Sequence, residues 1–442
     1  MTAPRRKTGD LKEFVDNLGF AGLILSISGK FGQLSDKTQN LLSCCLGAVL
    51  LNLLLIATGT FAQETTYGTA RLASNKAGNS PSRAANARIL LAGGDCNTCS
   101  PGSTATAELY NATTETFAAI TGSMTSSRAW HTATRLATEG QVLITGGIDN
   151  TDAYLASAEV YDSNKQAFTP TKGAMSVARV FHKAVLLPNG FVLVTGGTSL
   201  NQALDTAELY STKAQIFTAT KTTMNSGRLL HTATLLGNGN VLIAGGQSSN
   251  ASTPLSTAEV YNYKTQQFVL TNGNMAAARF AHTATLLNNG QVLITGGFGS
   301  GGCPGAAVAT AELFDPSSGT FTPTKSPMYN ARAFHSATLL QNETVLIAGG
   351  IDADCAGNII ATAEIFDPAT GLFRLTPGDM TSSRFQHTAT LLNDGTVLIA
   401  GGENSSFSVL DTAELYNPES ESFISTKGTM TQSRISYTAT AL

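Results

Sequence analysis

A run of consecutive apolar residues closed by two glycines, as in Val241-Leu242-Ile243-Ala244-Gly245-Gly246, recurs seven times along the chain. The glycine pairs begin at Gly93, Gly146, Gly196, Gly245, Gly296, Gly349 and Gly401, so the period stays between 49 and 53 residues. An unbroken apolar run predicts a strand buried on both faces. Ahead of such runs stands a segment like His282-Thr283-Ala284-Thr285-Leu286-Leu287, joined to the run by Asn289-Gly290. Asn189-Gly190, Asn238-Gly239 and Asp394-Gly395 fill the same place, and both turn positions tolerate positive φ, so these read as tight hairpins. After the glycines, Thr257-Ala258-Glu259-Val260-Tyr261 alternates with period two, as a strand with two different faces should, and a fourth strand carries Phe268. Four strands in a unit of about fifty residues predict one blade of a propeller.

The unit is almost invariant. Tyr or Phe to Phe is seven residues in every copy, Phe to Met seven, Met to Arg four, and Arg to His or Tyr437 three. The variation lies between the glycine pair and Ala-Glu, in loops 95–106, 148–157, 198–206, 247–257, 298–310, 351–362 and 403–412. These loops join the second and third strands and share one face of the disc. Variable loops on a rigid scaffold are where binding sits, and the candidate residues there are Asp149, Asp152, Tyr154, Phe298, Asp352, Asp354 and Phe407. The first apolar run, Ile89-Leu90-Leu91-Ala92, lacks the His-Thr-Ala-Thr strand before it, whereas Tyr437-Thr438-Ala439-Thr440-Ala441-Leu442 is such a strand without its successor. The fold class expected is therefore all-β, a seven-bladed propeller of four-stranded antiparallel blades, its first blade closed by the C-terminal strand.

Over residues 88–442 the repeat resembles the kelch family in its bacterial form, also found in the central domain of galactose oxidase. One departure is that Phe117, Phe168, Phe217, Phe268, Phe321, Phe373 and Phe423 stand where many kelch repeats carry Trp. The likeness to galactose oxidase would imply copper held by Tyr and His, with a Cys cross-linked to one Tyr. Here no His lies outside the repeat position, so that constellation cannot be mapped and no cofactor is expected. A mutarotase or epimerase similar to periplasmic kelch proteins acting on sialic acid is a further alternative, needing acid–base groups at the channel mouth.

Twenty-seven basic against 30 acidic residues give a net charge of −3, which argues against a nucleic-acid partner. Residues 41–58 are nearly all apolar, are preceded by Arg5, Arg6, Lys7, Lys12, Lys30 and Lys37, and are followed by Thr60-Phe61-Ala62. The pattern reads as an export signal cut after Ala62 or, uncleaved, as a membrane anchor. Residues 1–62 are thus a leader, 63–87 a polar linker and 88–442 the propeller, placed outside the cytoplasm, secreted or periplasmic, and read as monomeric.

His131, His182, His231, His282, His335 and His387 occupy one repeat position, and one ligand per blade around a ring does not converge on a metal. Arg128, Arg179, Arg228, Arg279, Arg332, Arg384 and Arg434 are matched in number by Glu108, Glu159, Glu208, Glu259, Glu312, Glu364 and Glu414, which predicts an ion pair within or between blades. The alternative is an arginine ring that binds an anionic sugar or carboxylate. Cys96, Cys99, Cys303 and Cys355 fall in the three longest variable loops, so disulfides Cys303–Cys355 and Cys96–Cys99 are expected in an export compartment. The acidic loop pieces lack a full calcium ligand set. No catalytic residue is assigned. The expected function is non-enzymatic binding of a glycan or an extracellular protein.

Overall fold

The computed structural model describes residues 88–96, 102–248, 253–300, 306–352 and 358–442. The leader, with its apolar run 41–58, and the linker lie outside the described residues. Within them no helix is long and apolar enough to cross a membrane.

Seven four-stranded antiparallel sheets form the blades, with strands a to d running from the axis outward. Blade 4 is representative: Thr232–Leu235, Val241–Ala244, Ala258–Asn262 and Gln267–Leu270. In blade 1, strand a is Thr438–Ala441, which pairs with strand b, Arg88–Ala92, placing Leu90 opposite Thr440. The ring is closed by the last strand of the sequence, as expected.

The apolar run of strand b is buried on both sides because each side faces a different neighbour. Leu90 and Ala92 pack with Val142, Ile144 and Tyr161 of blade 2, while Ile89 and Leu91 pack with Leu398, Ala400 and Leu415 of blade 7. Each junction is a wedge of this kind, capped by the methionine of the d–a linker, such as Met124 or Met275. Burying such side chains contributes roughly 1.5–3 kcal/mol each relative to exposure, so the hydrophobic term acts mainly between blades. Within a blade the outer pair is tied by rings. Tyr110 lies directly across from Phe117, with centroids 4.8 Å apart, and the pairing recurs in every blade, with Phe314 and Phe366 in place of Tyr in blades 5 and 6.

The glycine pair sits where two linkers pass. A Cβ on Gly146 would stand 2.6 Å from Arg179 O and 2.7 Å from His182 Cε1, and one on Gly147 2.6 Å from Ala129 O. Both adopt positive φ, so a side chain there meets a clash and a strained backbone together. The a–b turns differ from the expectation. Only the glycine takes positive φ (+83° at Gly190), while Asn189 does not. Gly190 N donates to Leu187 O at 2.9 Å, and Asn189 Oδ1 accepts Phe191 N at 3.3 Å. The connection is a type I turn followed by a left-handed glycine, a three-residue loop, and the Asn contributes through its side-chain oxygen. Blade 6 makes this turn with Glu343 at φ +72°.

Candidate binding face

The repeated charged groups are structural. Arg279 enters blade 5 on the d–a linker. Its Nη1 donates to Gly296 O and Thr310 O at 2.6 and 3.0 Å, and its Nη2 to Thr310 Oγ1 and Glu312 Oε1 at 3.0 and 2.9 Å. The second oxygen of Glu312 accepts Ala276 N at 2.8 Å. The arrangement recurs in every blade, with Ser157 in place of the threonine for Arg128 and Nε in place of Nη2 toward the glutamate for Arg434, and the arginines are at most 1% exposed. Desolvation lowers the Arg279 pKa and the Glu312 carboxylate opposes that shift. Each pair pins an incoming linker to strand c of its blade. This bears out the ion-pair expectation and overturns the arginine ring at the mouth, because no guanidinium is left to meet a ligand.

The histidines stitch neighbouring blades. His182 Nε2 meets Thr132 Oγ1 and Thr145 Oγ1 of the preceding blade, both at 3.1 Å, and His335 repeats the contact with Thr283 and Thr295 at 3.0 Å. In the seventh place Tyr437 OH donates to Ala400 O at 2.6 Å. Burial, reinforced by the nearby arginine, pushes His131 down to about 3 and keeps the ring neutral. Among the described residues no three His, Cys, Asp or Glu side chains are grouped to hold a metal ion.

What varies from blade to blade is gathered at the mouth. The residue before each histidine adopts positive φ: Trp130, Phe181, Leu230, Ala281, Phe334, Gln386 and, before Tyr437, Ser436. Backbone bonds join these residues around the axis, from Leu230 N to Phe181 O, Ala281 N to Leu230 O, Phe334 N to Ala281 O and Trp130 N to Ser436 O, at 3.0–3.4 Å. Holding seven left-handed residues in one ring costs of order 1 kcal/mol or more apiece, offset by the packing that fixes them. On most of its circumference the ring is apolar, with Phe181, Leu230 and Phe334 packed against Phe280, Phe298 and Tyr154. One corner is polar: Trp130 Nε1 donates to Ser436 Oγ at 2.5 Å, which donates to Gln386 Oε1 at 3.2 Å.

Around the ring stand arms from the b–c loops. The residue after each glycine pair bridges to the linker, as Ile148 does to Ala129 and Phe298 to Phe280. In blades 1 and 7 this residue is acidic. Burial, with the Asp152 charge added, lifts Asp95 to about 7, and burial lifts Glu403 as well.

Tyr154 and Phe298 are therefore brought to the mouth. Asp149 and Asp152 lie on the arm of blade 2 and Phe407, 71% exposed, on that of blade 7. Asp149 is partly desolvated, yet hydrogen bonds from Thr151 and Ala153 hold its carboxyl below the usual range, so that carboxylate already serves its own turn. Asp352 is half-buried on the arm of blade 6, and Asp354 lies outside the described residues. Cys96 is buried and disulfide-bonded; Cys99, Cys303 and Cys355 lie outside the described residues. The positions missed from sequence are Asp95, Glu403, Trp130, Gln386 and Ser436. Their signal is the reverse of a motif: they fill the two places flanking fixed residues where the blades disagree.

The profile of the KLHDC2/KLHL20/DRC7 Kelch-repeats domain matches residues 82–297, which take in strands b to d of blade 1, blades 2 to 4 and the first two strands of blade 5. No curated protein matches the chain. With the closed ring of seven four-stranded blades, the match makes this chain a kelch-repeat β-propeller, a fold that commonly serves as a protein-interaction module.

Proposed function

We propose that the protein is an exported, non-enzymatic binding module that takes an extracellular protein partner on the face formed by the b–c arms and the inner ends of the linkers. One observation carries this reading. Every repeated Arg, Glu and His is held in a buried contact, whereas the exposed side chains that differ between blades on this face stand on the arms, such as Asp152, Asp205, Phe407 and Asp411, around a ring whose residues are mostly buried. The acid–base groups a mutarotase would draw from the repeats are buried in those contacts. Export is supported by the basic-then-apolar leader and by the disulfide at Cys96, a bond that persists in oxidising compartments. A neutral glycan is the second reading, favoured by two exposed rings, Phe407 at 71% and Tyr329 at 64%.

The test is a thermal-shift and binding screen of the full chain against protein and glycan panels. A hit lost on Phe407→Ala or Tyr329→Ala, and kept on substitutions in the a–b and c–d turns, supports the reading. A hit insensitive to the first pair and lost on the second would move the site to the other face.

A further inference from the structure

Charge is segregated across the disc. The seven b–c loops hold eight carboxylates, Asp95, Asp149, Asp152, Asp205, Asp352, Asp354, Glu403 and Asp411, and no Lys or Arg. Residues 88–442 hold 18 basic and 25 acidic residues, a formal charge of −7, so the rest of the propeller sums to +1 against −8 on these loops. On the linkers between Met and His the only bases are the seven arginines, each buried against its glutamate. Surface lysines stand elsewhere. Lys165, Lys213 and Lys264 are on c–d turns; Lys172, Lys325 and Lys427 are at linker starts, where Gly173 N, Lys325 N and Gly428 N donate to the next blade's c–d turn. The arms of the mouth face therefore present carboxylates and no cation among the described residues; the base nearest the inner ring is half-buried Lys183, which follows His182 at the head of strand a of blade 3.

The acidic groups are not spread evenly. They stand on the arms of blades 6, 7, 1, 2 and 3, while the arms of blades 4 and 5 carry none, and Phe280 and Phe298 of the apolar cluster lie on that side. Within the acidic sector Asp95 is directly opposite Ser103 in an antiparallel bridge, which puts both side chains on one side of the arm. Ser103 is 7% exposed and its Oγ has no hydrogen-bond partner. A buried hydroxyl left over beside a desolvated carboxylate is an unfilled polar contact. A ligand bringing donors and positive charge would satisfy both. One bringing negative charge would meet repulsion over five of the seven arms.

We propose that the partner segment seated on this face is cationic, a Lys- and Arg-bearing stretch of protein whose basic side chains meet the acidic arms while an apolar side chain rests on the aromatic sector. This rests on the binding-module reading above. Exposed Phe407 and Tyr329 add ring faces that a cation also favours. Complementary charge of this kind governs encounter and choice of partner and weakens with salt.

The test uses the full chain and three fluorescein-labelled peptides of about twelve residues, alternating Ser with Lys, Gln or Glu, titrated by anisotropy at about 20 and 200 mM salt, where the Debye length falls about threefold. The Lys peptide is expected to bind at least about tenfold more tightly than the Gln peptide at low salt, and the Glu peptide not at all. Asp152→Asn with Asp205→Asn and Asp411→Asn, all exposed positions, should weaken the Lys peptide about tenfold with an unchanged Tm. Glu139→Gln with Glu419→Gln, exposed turns on the other face, should leave it unchanged. Equal binding of the Lys and Glu peptides, or a triple variant that binds like the parent, overturns the proposal. If the Lys peptide fails while a neutral or anionic ligand from the panels binds in a Phe407-dependent way, this inference falls and the binding face stands. If nothing binds, both fall.

Discussion

Arg434 Nε donates to Glu108 Oε1 at 2.8 Å, joining groups 326 residues apart in the chain. It is the only one of the seven arginines to use Nε for its glutamate, and the pair is as buried as the other six. Gln432 Oε1, accepting Thr106 Oγ1 at 2.7 Å, and His131, meeting Thr438 at 3.0 Å, flank the same seam. Removing one partner of a buried pair leaves an uncompensated charge, at a cost of roughly 3–5 kcal/mol. Glu108→Gln should therefore lower stability by an amount similar to Glu259→Gln inside blade 4. Urea unfolding reads both. A Glu108 variant that unfolds at the parent's midpoint would mean that the seam is not held by this pair.

The five buried tyrosines on strand c behave differently. The hydroxyls of Tyr110, Tyr161, Tyr210, Tyr261 and Tyr416 find no hydrogen-bond partner, and desolvation raises their pKa values. Blades 5 and 6 do without the hydroxyl, using Phe314 and Phe366. Leaving a hydroxyl unpaired costs about 1–3 kcal/mol, so Tyr261→Phe is expected to be neutral or stabilising by up to about 1 kcal/mol. A loss above about 1 kcal/mol would show that the hydroxyl is bonded in solution.

Stability should fall with acid in a defined window. The histidines are held far below their usual pKa by burial, His131 and His387 at about 3. Between about 3 and 6.5 the unfolded chain binds more protons than the folded one, so each histidine removes stability as pH falls, with a slope of about 1.4 kcal/mol per unit. Asp95 works the other way. Its folded pKa of about 7 exceeds the unfolded value, so its contribution is complete below about 4 and lost as pH rises through 7. Asp95→Asn should therefore be more stable than the parent at pH 8, with the advantage shrinking towards pH 4. Urea midpoints at several pH values check both signs; a parent midpoint that is flat from pH 7 to pH 5 would contradict the buried neutral ring.

With Cys96 disulfide-bonded, the proposed pairs Cys96–Cys99 and Cys303–Cys355 predict no free thiol at these four positions. Alkylation without reductant, followed by peptide mass mapping, should return Cys96–Cys99 and Cys303–Cys355. Finding Cys96 joined to either of the other two would redraw the framework.

Blade number, strand order and closure were legible because they rest on sameness. Seven Gly-Gly pairs, seven Arg and seven Glu at fixed spacing leave one solution, and the split between Ile89–Ala92 and Thr438–Ala441 tells how the ends meet. Asn189 departs from the expected turn because an Asn-Gly pair serves two hairpin types, and only the backbone shows which residue turns left-handed. The mouth was largely hidden for a physical reason. Trp130, Gln386, Asp95 and Glu403 occupy positions that a repeat search treats as noise. Their convergence depends on strand direction, which carries the residue before each His and the residue after each Gly-Gly to the same end of the ring. The acidity of that face emerges only once the arginines between them are seen to be buried.

The central claim is that ligand chemistry is confined to the mouth face, and one comparison tests it most directly. The affinity of the full chain for a ligand from the panels is measured in two variants that each remove exposed apolar groups, Phe407→Ala with Tyr329→Ala on the arm and linker side, and Val269→Thr with Ile424→Thr on the outer strands. The account predicts that the first loses binding at an unchanged Tm and that the second keeps it. Binding kept in the first and lost in the second would contradict it.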